Sequence, residues 1–177
     1  LGFLARETSA MALYLGEHFD RAFEAPSDAP DAPLLHALAL GVRACKIERQ
    51  EAIGIAIVMF GAGGESTAAL LGSAMRRLAE DPELAEQLRS DVALIPRFIE
   101  EVLRLDSPFN FHYRLVRQEC SLGGYDLVPG DRLMLLWASA NRDATQHETP
   151  DALLLDRKHP KKHMGFGRGM HFCIGAP

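Results

Sequence analysis

The sequence predicts a mainly α-helical fold with a small β region, on two observations. Apolar residues recur at helical spacing through most of residues 4–105, and no proline interrupts residues 34–81. Residues 109–136 have a different sequence pattern, in which strand-like stretches are separated by Gly-Gly and Pro-Gly turns. The composition, 47% hydrophobic and 24% charged, is that of a soluble globular protein.

Three helices are predicted in the first half of the chain. The first covers Leu4 to Phe23, and a loop rich in Pro, Asp and Ala separates it from a short helix over Leu34 to Val42. The third, Ile47 to Leu78, is apolar on nearly all faces in its middle, which predicts a long core helix. We expect this helix to be kinked or locally bulged at residues 61–64, because glycine weakens a helix.

The second half is predicted to combine two helices with the β region. Asp81, followed by a proline, is typical of an N-cap and first helical turn, and a further helix is expected over Leu94 to Leu105. Strand-like stretches follow in residues 109–117 and 120–136. A long irregular segment then leads to a glycine-spaced cysteine loop near the C-terminus, residues 165–175.

Charge and cysteine usage exclude several classes. The net charge of −5 lacks the basic excess of a nucleic-acid binder. Three widely spaced cysteines without a C-x-x-C pair argue against a disulfide framework or a structural zinc site, and favour a reducing compartment. The uncharged stretch Ala52 to Gly64 is shorter than the ~20 residues of a membrane helix, so a buried core helix is favoured. The abrupt ends lead us to expect a fragment of a longer chain.

The C-terminal loop carries the pattern F-x-x-G-x-x-x-C-x-G, with a histidine two residues before the cysteine. A thiolate that binds iron needs a loop whose backbone can approach the sulfur closely, and glycines permit this. A lone cysteine is more often a small buried hydrophobe, but four fixed positions favour metal ligation. A dinucleotide-binding loop is disfavoured, because the G-x-G-x-G spacing here does not follow a strand.

Two further patterns each have two interpretations. Glu65 and Ser66 form an acid–alcohol pair within the glycine-weakened helix, which suits either a satisfied core carboxylate or a proton-delivery pair beside a ligand. Glu101 and Arg104 lie three residues apart on one helix face, and Glu100 is also within reach of Arg104. On its own, such a pair is usually a solvated ion pair.

The order of these motifs resembles the cytochrome P450 family, in its soluble bacterial type. The resemblance runs from the long helix with its A-G-x-E-S-T segment, through EEVLRLDSP and ANRD, to FGRGMHFCIGAP. It implies one partial P450 domain over residues 1–177. Residues 1–46 would be helices that precede the long helix. Residues 47–177 would carry the oxygen-activation helix, the E-x-x-R helix, a β segment, an irregular meander and the haem-cysteine loop.

The resemblance implies a cofactor, haem b, and assigns residues to it. Cys173 would be the axial thiolate to the iron, and Phe166 would pack near the haem and the sulfur. Arg114 and His171 would meet the haem propionates. The cofactor set is then Cys173, Phe166, Gly169, Gly175, His171 and Arg114.

The same resemblance assigns the acid–alcohol pair to proton delivery. Ser66 stands where the family usually has threonine, so the coupling of oxygen use to product is expected to be looser. The neighbouring glycines would open the helix groove for oxygen, which makes the catalytic set Glu65, Ser66, Gly63 and Gly64. The substrate pocket would be bordered by Val58, Ala62, Phe109, Asn110, Phe111 and His112. Core packing is the alternative for the two phenylalanines.

Glu101 and Arg104 match a buried structural pair beneath the haem. In the family a second arginine often joins them from a P-x-R-F segment. The matching position here is Ala152, so that arginine is absent. Arg142 and Arg157 are the candidates to replace it.

The implied function is a haem-thiolate monooxygenase that inserts one oxygen atom from O₂ into an organic substrate. Electrons would come from NAD(P)H through a reductase and a ferredoxin-like carrier, in the cytoplasm and without nucleic-acid or membrane partners. The alternatives are a peroxide-driven peroxygenase, which tends to lack the acid–alcohol pair, and a truncated or remnant haem-binding protein without turnover. A basic cluster ahead of the cysteine is either a solvated loop or the carrier's docking patch: Lys158, Lys161, Lys162 and Arg168.

Overall fold

The computed structural model describes residues 2–176, and their side chains from residue 9 onward. Its secondary structure confirms the mainly α class with a small β region. The helices of these residues are α1 (Gly2–Glu24), α2 (Leu34–Arg43), α3 (Arg49–Glu80), α4 (Pro82–Ser90), α5 (Ile95–Leu105) and α6 (Trp137–Ala140). The strands are β1 (His112–Leu115), β2 (Cys120–Leu122), β3 (Tyr125–Leu127) and β4 (Arg132–Leu135). Short 3₁₀ turns lie at Val92–Leu94, Pro160–Lys162 and Gly169–His171.

The chain divides into two compact units, Leu1–Glu65 and Ser66–Pro177. In the first unit, α1, α2 and the start of α3 pack around a small apolar cluster. Its fully buried members are Phe19, Ala39 and Ala52. At the rim of this cluster the Arg49 guanidinium donates to both carboxylate oxygens of Asp20, at 2.9 and 2.7 Å.

In the second unit, the end of α3 packs with α4 and α5 around Ala74, Leu88, Phe98 and Val102. The start of α4 confirms the predicted cap, because the Asp81 carboxylate accepts the N–H of Leu84 at 2.9 Å.

The β region consists of two separate antiparallel pairs. In the first, β1 pairs with β4, and His112 lies opposite Leu135 while Arg114 lies opposite Leu133. In the second, β2 and β3 are joined by the predicted Gly-Gly turn. Side chains two residues apart on a strand share a face, so His112 and Arg114 lie on the same face of the first pair.

The structure corrects the predicted bulge in the long helix. Helix α3 is α-helical throughout, including residues 61–64. The bulge was wrong because each glycine weakens a helix by only about 1 kcal/mol relative to alanine, which a 32-residue helix tolerates.

The expected burial of α3 is also wrong for its middle part. Val58 is 68% exposed and Phe60 is 59% exposed. The buried residues of α3 are alanines near its two ends, Ala52, Ala56 and Ala74, because the other described helices pack only there. By length and composition α3 is also apolar enough to cross a membrane, but core helices of soluble proteins pass the same test.

Candidate functional site

The cysteine loop, residues 165–175, presents its thiol to the outside. Cys173 is an exposed free cysteine, and its N–H donates to the carbonyl of Phe166 at 2.9 Å. The turns between these residues require glycine, since Gly167 and Gly169 have φ of +71° and +77°. A Cβ at Gly175 would lie 3.9 Å from the Cys173 sulfur. The loop therefore holds its backbone close to the sulfur.

A buried asparagine ties the start of this loop to α5. The Met164 N–H donates to Asn141 Oδ1 at 2.6 Å, and Asn141 Nδ2 donates to Ser107 Oγ at 3.1 Å. Ser107 Oγ in turn donates to the carbonyl of Leu103 in α5. Asn141 belongs to the ANRD segment, whose place in the sequence pattern was noted but whose contact with the loop was not predicted.

Glu101 and Arg104 form a fully buried, two-point ion pair. Arg104 Nε lies 2.8 Å from Glu101 Oε1, Arg104 Nη2 lies 2.9 Å from Oε2, and both side chains are 0% exposed. This geometry overturns the solvated-pair interpretation. It also decides between the two glutamates, because Glu100 contacts His163 and not Arg104.

Arg157 takes the place of the missing meander arginine at this pair. Its Nε lies 2.8 Å from Glu101 Oε1, and its side chain is 8% exposed. The carbonyl of Ala152 accepts from both guanidiniums, at 2.8 Å from Arg104 and 3.1 Å from Arg157. Arg142 instead binds Asp151 at 2.5 Å. The cluster Glu101–Arg104–Arg157 is therefore complete without an arginine at position 152.

Burial and the charges of this cluster shift the pKa values of two groups. Burial works to raise the pKa of Glu101, but hydrogen bonds from Arg104, Arg157 and the Leu154 N–H outweigh it and lower the pKa to about 2. Burial lowers the pKa of the nearby His147, and the cations Arg104, Arg157 and Lys162 lower it further. Glu101 is thus a carboxylate at any physiological pH. His147, which sequence reasoning missed, is favoured in its neutral form.

The acid–alcohol pair lies in the middle part of α3. Glu65 is exposed and Ser66 is half-buried. Gly63, Gly64, Ala62 and Val58 are exposed on the same helix. The predicted pocket residues of α3 are thus accessible.

The β1 region brings the other predicted pocket residues together. Trp137 Nε1 donates to His112 Nδ1 at 2.6 Å, so His112 carries its proton on Nε2. The rings of Phe109 and His112 lie 5.3 Å apart. Phe109 and Phe111 are 45% and 44% exposed, which disfavours core packing for both.

The remaining predicted contacts in this region are also on the surface. The carbonyl of Asn110 accepts the N–H of Ala138 at 3.1 Å. Arg114 and His171 are both exposed, and Arg114 Nη1 donates to the neighbouring Tyr113 carbonyl at 3.0 Å. Both side chains are therefore accessible to an anionic group.

Comparison with known proteins decides the family. A family model described as Cytochrome P450 matches residues 24–177. The chain belongs to the cytochrome P450 family. It is 45% identical over 163 residues to Cytochrome P450 144 of Mycobacterium tuberculosis, covering 92% of this chain and 37% of that protein. It is 36% identical over 132 residues to Putative cytochrome P450 YjiB of Bacillus subtilis, covering 75% and 33%.

Solved P450 structures match the fold across nearly the whole chain. The ligand-free P450 monooxygenase TamI superposes with a TM-score of 0.86 at 32% identity, over 98% of this chain and 42% of TamI. CYP109E1 of Bacillus megaterium, solved with corticosterone, gives 0.85 at 32% identity, over 98% and 46%. P450BioI, solved with an acyl carrier protein carrying hexadec-9Z-enoic acid, gives 0.81 at 28% identity, over 94% and 42%. The chain thus spans less than half the length of these P450s.

Membership of the P450 family implies a haem whose iron is held by a cysteine thiolate, and the residues present fit that group. Among the described residues no cluster of three or more His, Cys, Asp or Glu side chains could hold a metal ion. A loop with one exposed cysteine, bound as its thiolate, suits a metal whose other ligands come from a macrocycle, as in haem. The glycine turns and the exposed apolar side chains of Met170 and Ile174 are compatible with a flat apolar group against the loop.

Proposed function

We propose that the complete protein is a haem-thiolate monooxygenase that inserts one oxygen atom from O₂ into an organic substrate. The observation that carries the proposal is the cysteine loop, in which an exposed Cys173 sits among close backbone turns. The haem, when bound, would supply the activation of oxygen. We also propose that the protein acts in the cytoplasm, where NAD(P)H and reduced carriers are available.

In this proposal Cys173 ligates the iron, and backbone turns at Gly169 and Gly175 leave the sulfur accessible. In the same loop the Phe166 carbonyl accepts the Cys173 N–H, and we assign the Phe166 ring to packing near the haem and the sulfur. Arg114 and His171 are both exposed, and in this proposal their side chains bind the propionates. His112 lies on the same strand face as Arg114, and in this proposal it borders the substrate pocket.

The reaction is tested by its stoichiometry. The protein is expressed from its complete gene, supplied with NAD(P)H, a reductase and a ferredoxin-like carrier, and given isotopically labelled O₂. One labelled oxygen is expected in the organic product and the other in water. Product without label would contradict the proposal.

Ser66 is expected to hold a proton for delivery to the oxygen site. Positioned proton transfer contributes about 100-fold or more to a rate, so Ser66→Ala should lower the product formed per NAD(P)H several-fold, with peroxide in its place. Haem content should stay unchanged, because Ser66 is not assigned to haem binding. The measurement is product, peroxide and NAD(P)H consumed in one assay.

The matched control for this change is Thr67→Ala. Thr67 is the exposed neighbour of Ser66 and also carries a hydroxyl. It should keep the wild-type ratio of product to NAD(P)H. Equal ratios in wild type and Ser66→Ala would contradict the role.

The basic patch, defined as Lys158, Lys161, Lys162 and Arg168, is proposed as the docking site of an acidic carrier. All four side chains are exposed, and Arg168 Nη2 donates to the Lys162 carbonyl at 3.4 Å. Lys161 Nζ lies 4.0 Å from the Glu100 carboxylate, and this negative charge partly offsets the positive charge that Lys161 presents to a partner. Lys158 and Lys162 should therefore steer the carrier most strongly.

Reversing Lys158 and Lys162 together to Glu should slow the first electron transfer, and the wild-type rate should fall as ionic strength rises. The control reverses two exposed cations elsewhere, Lys46→Glu with Arg117→Glu, for the same change in net charge. It should leave the rate near wild type. The measurement is stopped-flow reduction over a range of salt concentrations. If the rate changed neither with salt nor in the Lys158→Glu, Lys162→Glu variant, the docking role would be contradicted and the patch would be a solvated loop.

A further inference from the structure

We propose that His163 and Glu100 act as a positioning clamp, which ties the start of the cysteine loop to α5 and thereby holds Cys173 in place as the iron ligand. The inference rests on the proposed function, because it concerns the loop that would hold the iron ligand. His163 precedes the loop by two residues, and Glu100 is the neighbour of the E-x-x-R glutamate. Neither residue has a part in the oxygen chemistry proposed above.

The clamp is a pair of hydrogen bonds in series, one buried and one partly buried. His163 Nε2 lies 2.8 Å from Glu100 Oε2, and the Gly165 N–H donates to His163 Nδ1 at 3.0 Å. The His163 side chain is 1% exposed and the Glu100 side chain is 12% exposed. Such bonds are strengthened away from water, and a partner left alone there is costly.

The two bonds together determine the protonation of the ring. Since Nδ1 accepts from Gly165, it carries no proton, so the imidazole is neutral and its proton sits on Nε2. Nε2 therefore donates to the Glu100 oxygen. The carboxylate fixes the tautomer and orientation of His163, in the way that outer partners orient metal-ligating histidines.

The clamp acts at a point where the loop has little room. A Cβ at Gly165 would come within 3.0 Å of His163 Nδ1 and 3.3 Å of the Leu103 carbonyl. Gly165 is thus pressed between the ring and α5. The next residue, Phe166, provides the carbonyl that binds the Cys173 N–H, and its ring centroid lies 5.7 Å from that of His163. A shift at Gly165 would therefore pass along the backbone to the thiol.

Asn141 binds the same segment independently, through the Met164 N–H. Loss of the clamp should therefore loosen the loop without releasing it from α5. The expected consequence is a thiolate that is held less firmly against the iron, in a protein that still folds.

The experiment uses the haem-loaded protein expressed from its complete gene, with Glu100→Ala, Glu100→Gln and His163→Ala. Outer partners of a metal site are typically worth 10- to 100-fold in affinity, so we expect each alanine variant to lose haem to apomyoglobin about 10-fold faster. Each should also convert part of the reduced CO complex from the red-shifted, thiolate-type Soret band to the thiol type. Glu100→Gln keeps an oxygen that accepts from Nε2 and should remain close to wild type.

The control is Glu86→Ala, which removes an exposed glutamate paired with Arg89 and should change neither readout. A merely structural pair would lower the melting temperature but leave the CO band of the folded protein unchanged, and that result would overturn the clamp. A Glu100→Gln variant as defective as Glu100→Ala would overturn it too. If the alanine variants load no haem, Glu100→Asp becomes the test variant. A CO band converted in part to the thiol type would support the clamp, and an unchanged band would overturn it.

Failure of the clamp and failure of the proposed function are distinguishable by Cys173→Ala. If that variant keeps the thiolate-type band, the iron ligand has been misassigned. If it loses the band while His163→Ala behaves as wild type, the ligand stands and only the clamp is overturned.

Discussion

Replacement of Cys173 by alanine is expected to abolish the red-shifted Soret band of the reduced CO complex, because no other residue is proposed to supply a thiolate. Cys173 is exposed in the loop, and its backbone N–H donates to the Phe166 carbonyl. Electron donation from the thiolate underlies the spectral signature and favours O–O cleavage. Product formation should be lost with the band. The measurement is the CO difference spectrum of protein expressed from its complete gene.

The other two cysteines provide controls within the same chain. Cys45 follows α2 and Cys120 begins β2, and both are exposed free thiols. Their alanine variants should keep the thiolate-type band. If Cys173→Ala kept the band and one of these variants lost it, the assignment of the ligand would be wrong.

Glu101→Ala is expected to cost roughly 3–5 kcal/mol of unfolding free energy, because it strands buried guanidiniums. Arg104 is 0% exposed and Arg157 is 8% exposed, and both bind the Glu101 carboxylate at 2.8 Å. Glu101→Ala should therefore yield little haem-loaded protein. Chemical denaturation of the wild type and the variant measures the loss.

Two controls separate this cluster from ordinary ion pairs. Glu86→Ala removes a pair in which both side chains are more than 70% exposed, and should cost no more than about 1 kcal/mol. Arg157→Ala should be much more harmful than Arg142→Ala, since Arg142 pairs with the 80% exposed Asp151. Equal losses for the two arginines would contradict the assignment of Arg157 to the cluster.

The same cluster predicts a pH dependence of stability. The folded pKa of Glu101, about 2, lies below its ordinary value of 4.5. Its contribution to stability is therefore fully present above pH 4.5 and is lost as the pH falls toward 2. The acid limb of an unfolding curve should be shallower in Glu101→Gln than in wild type. Parallel acid limbs would show that Glu101 titrates normally.

Local signals were enough to predict the helical class, most helix starts and the chemistry-bearing motifs. The Asp81-Pro82 cap was predictable because the cap bond to Leu84 spans only three residues. The Gly-Gly turn between β2 and β3 was predictable for the same reason, since its positive φ values favour glycine. The spacing around Cys173 likewise indicated a thiol-presenting loop.

The partners of the buried charges could not be read from spacing. Glu100 and Glu101 both lie within a helical turn of Arg104, and only the packed helix shows that Glu101 faces Arg104 while Glu100 faces His163. Arg157 replaces the meander arginine from 56 residues away in sequence. The path of the irregular segment decides whether Arg142 or Arg157 contacts Glu101, and no local sequence pattern encodes that path.

The sequence by itself determined the family motifs, because they depend on residue types at short, fixed separations. Only the tertiary structure decided that Arg157 completes the Glu101 cluster, that His163 joins α5 to the cysteine loop, and that the middle of α3 is exposed in this chain. Those outcomes depend on which segments of the chain meet in space. Burial and long-range hydrogen bonds settle that question, and both arise only when the whole chain packs.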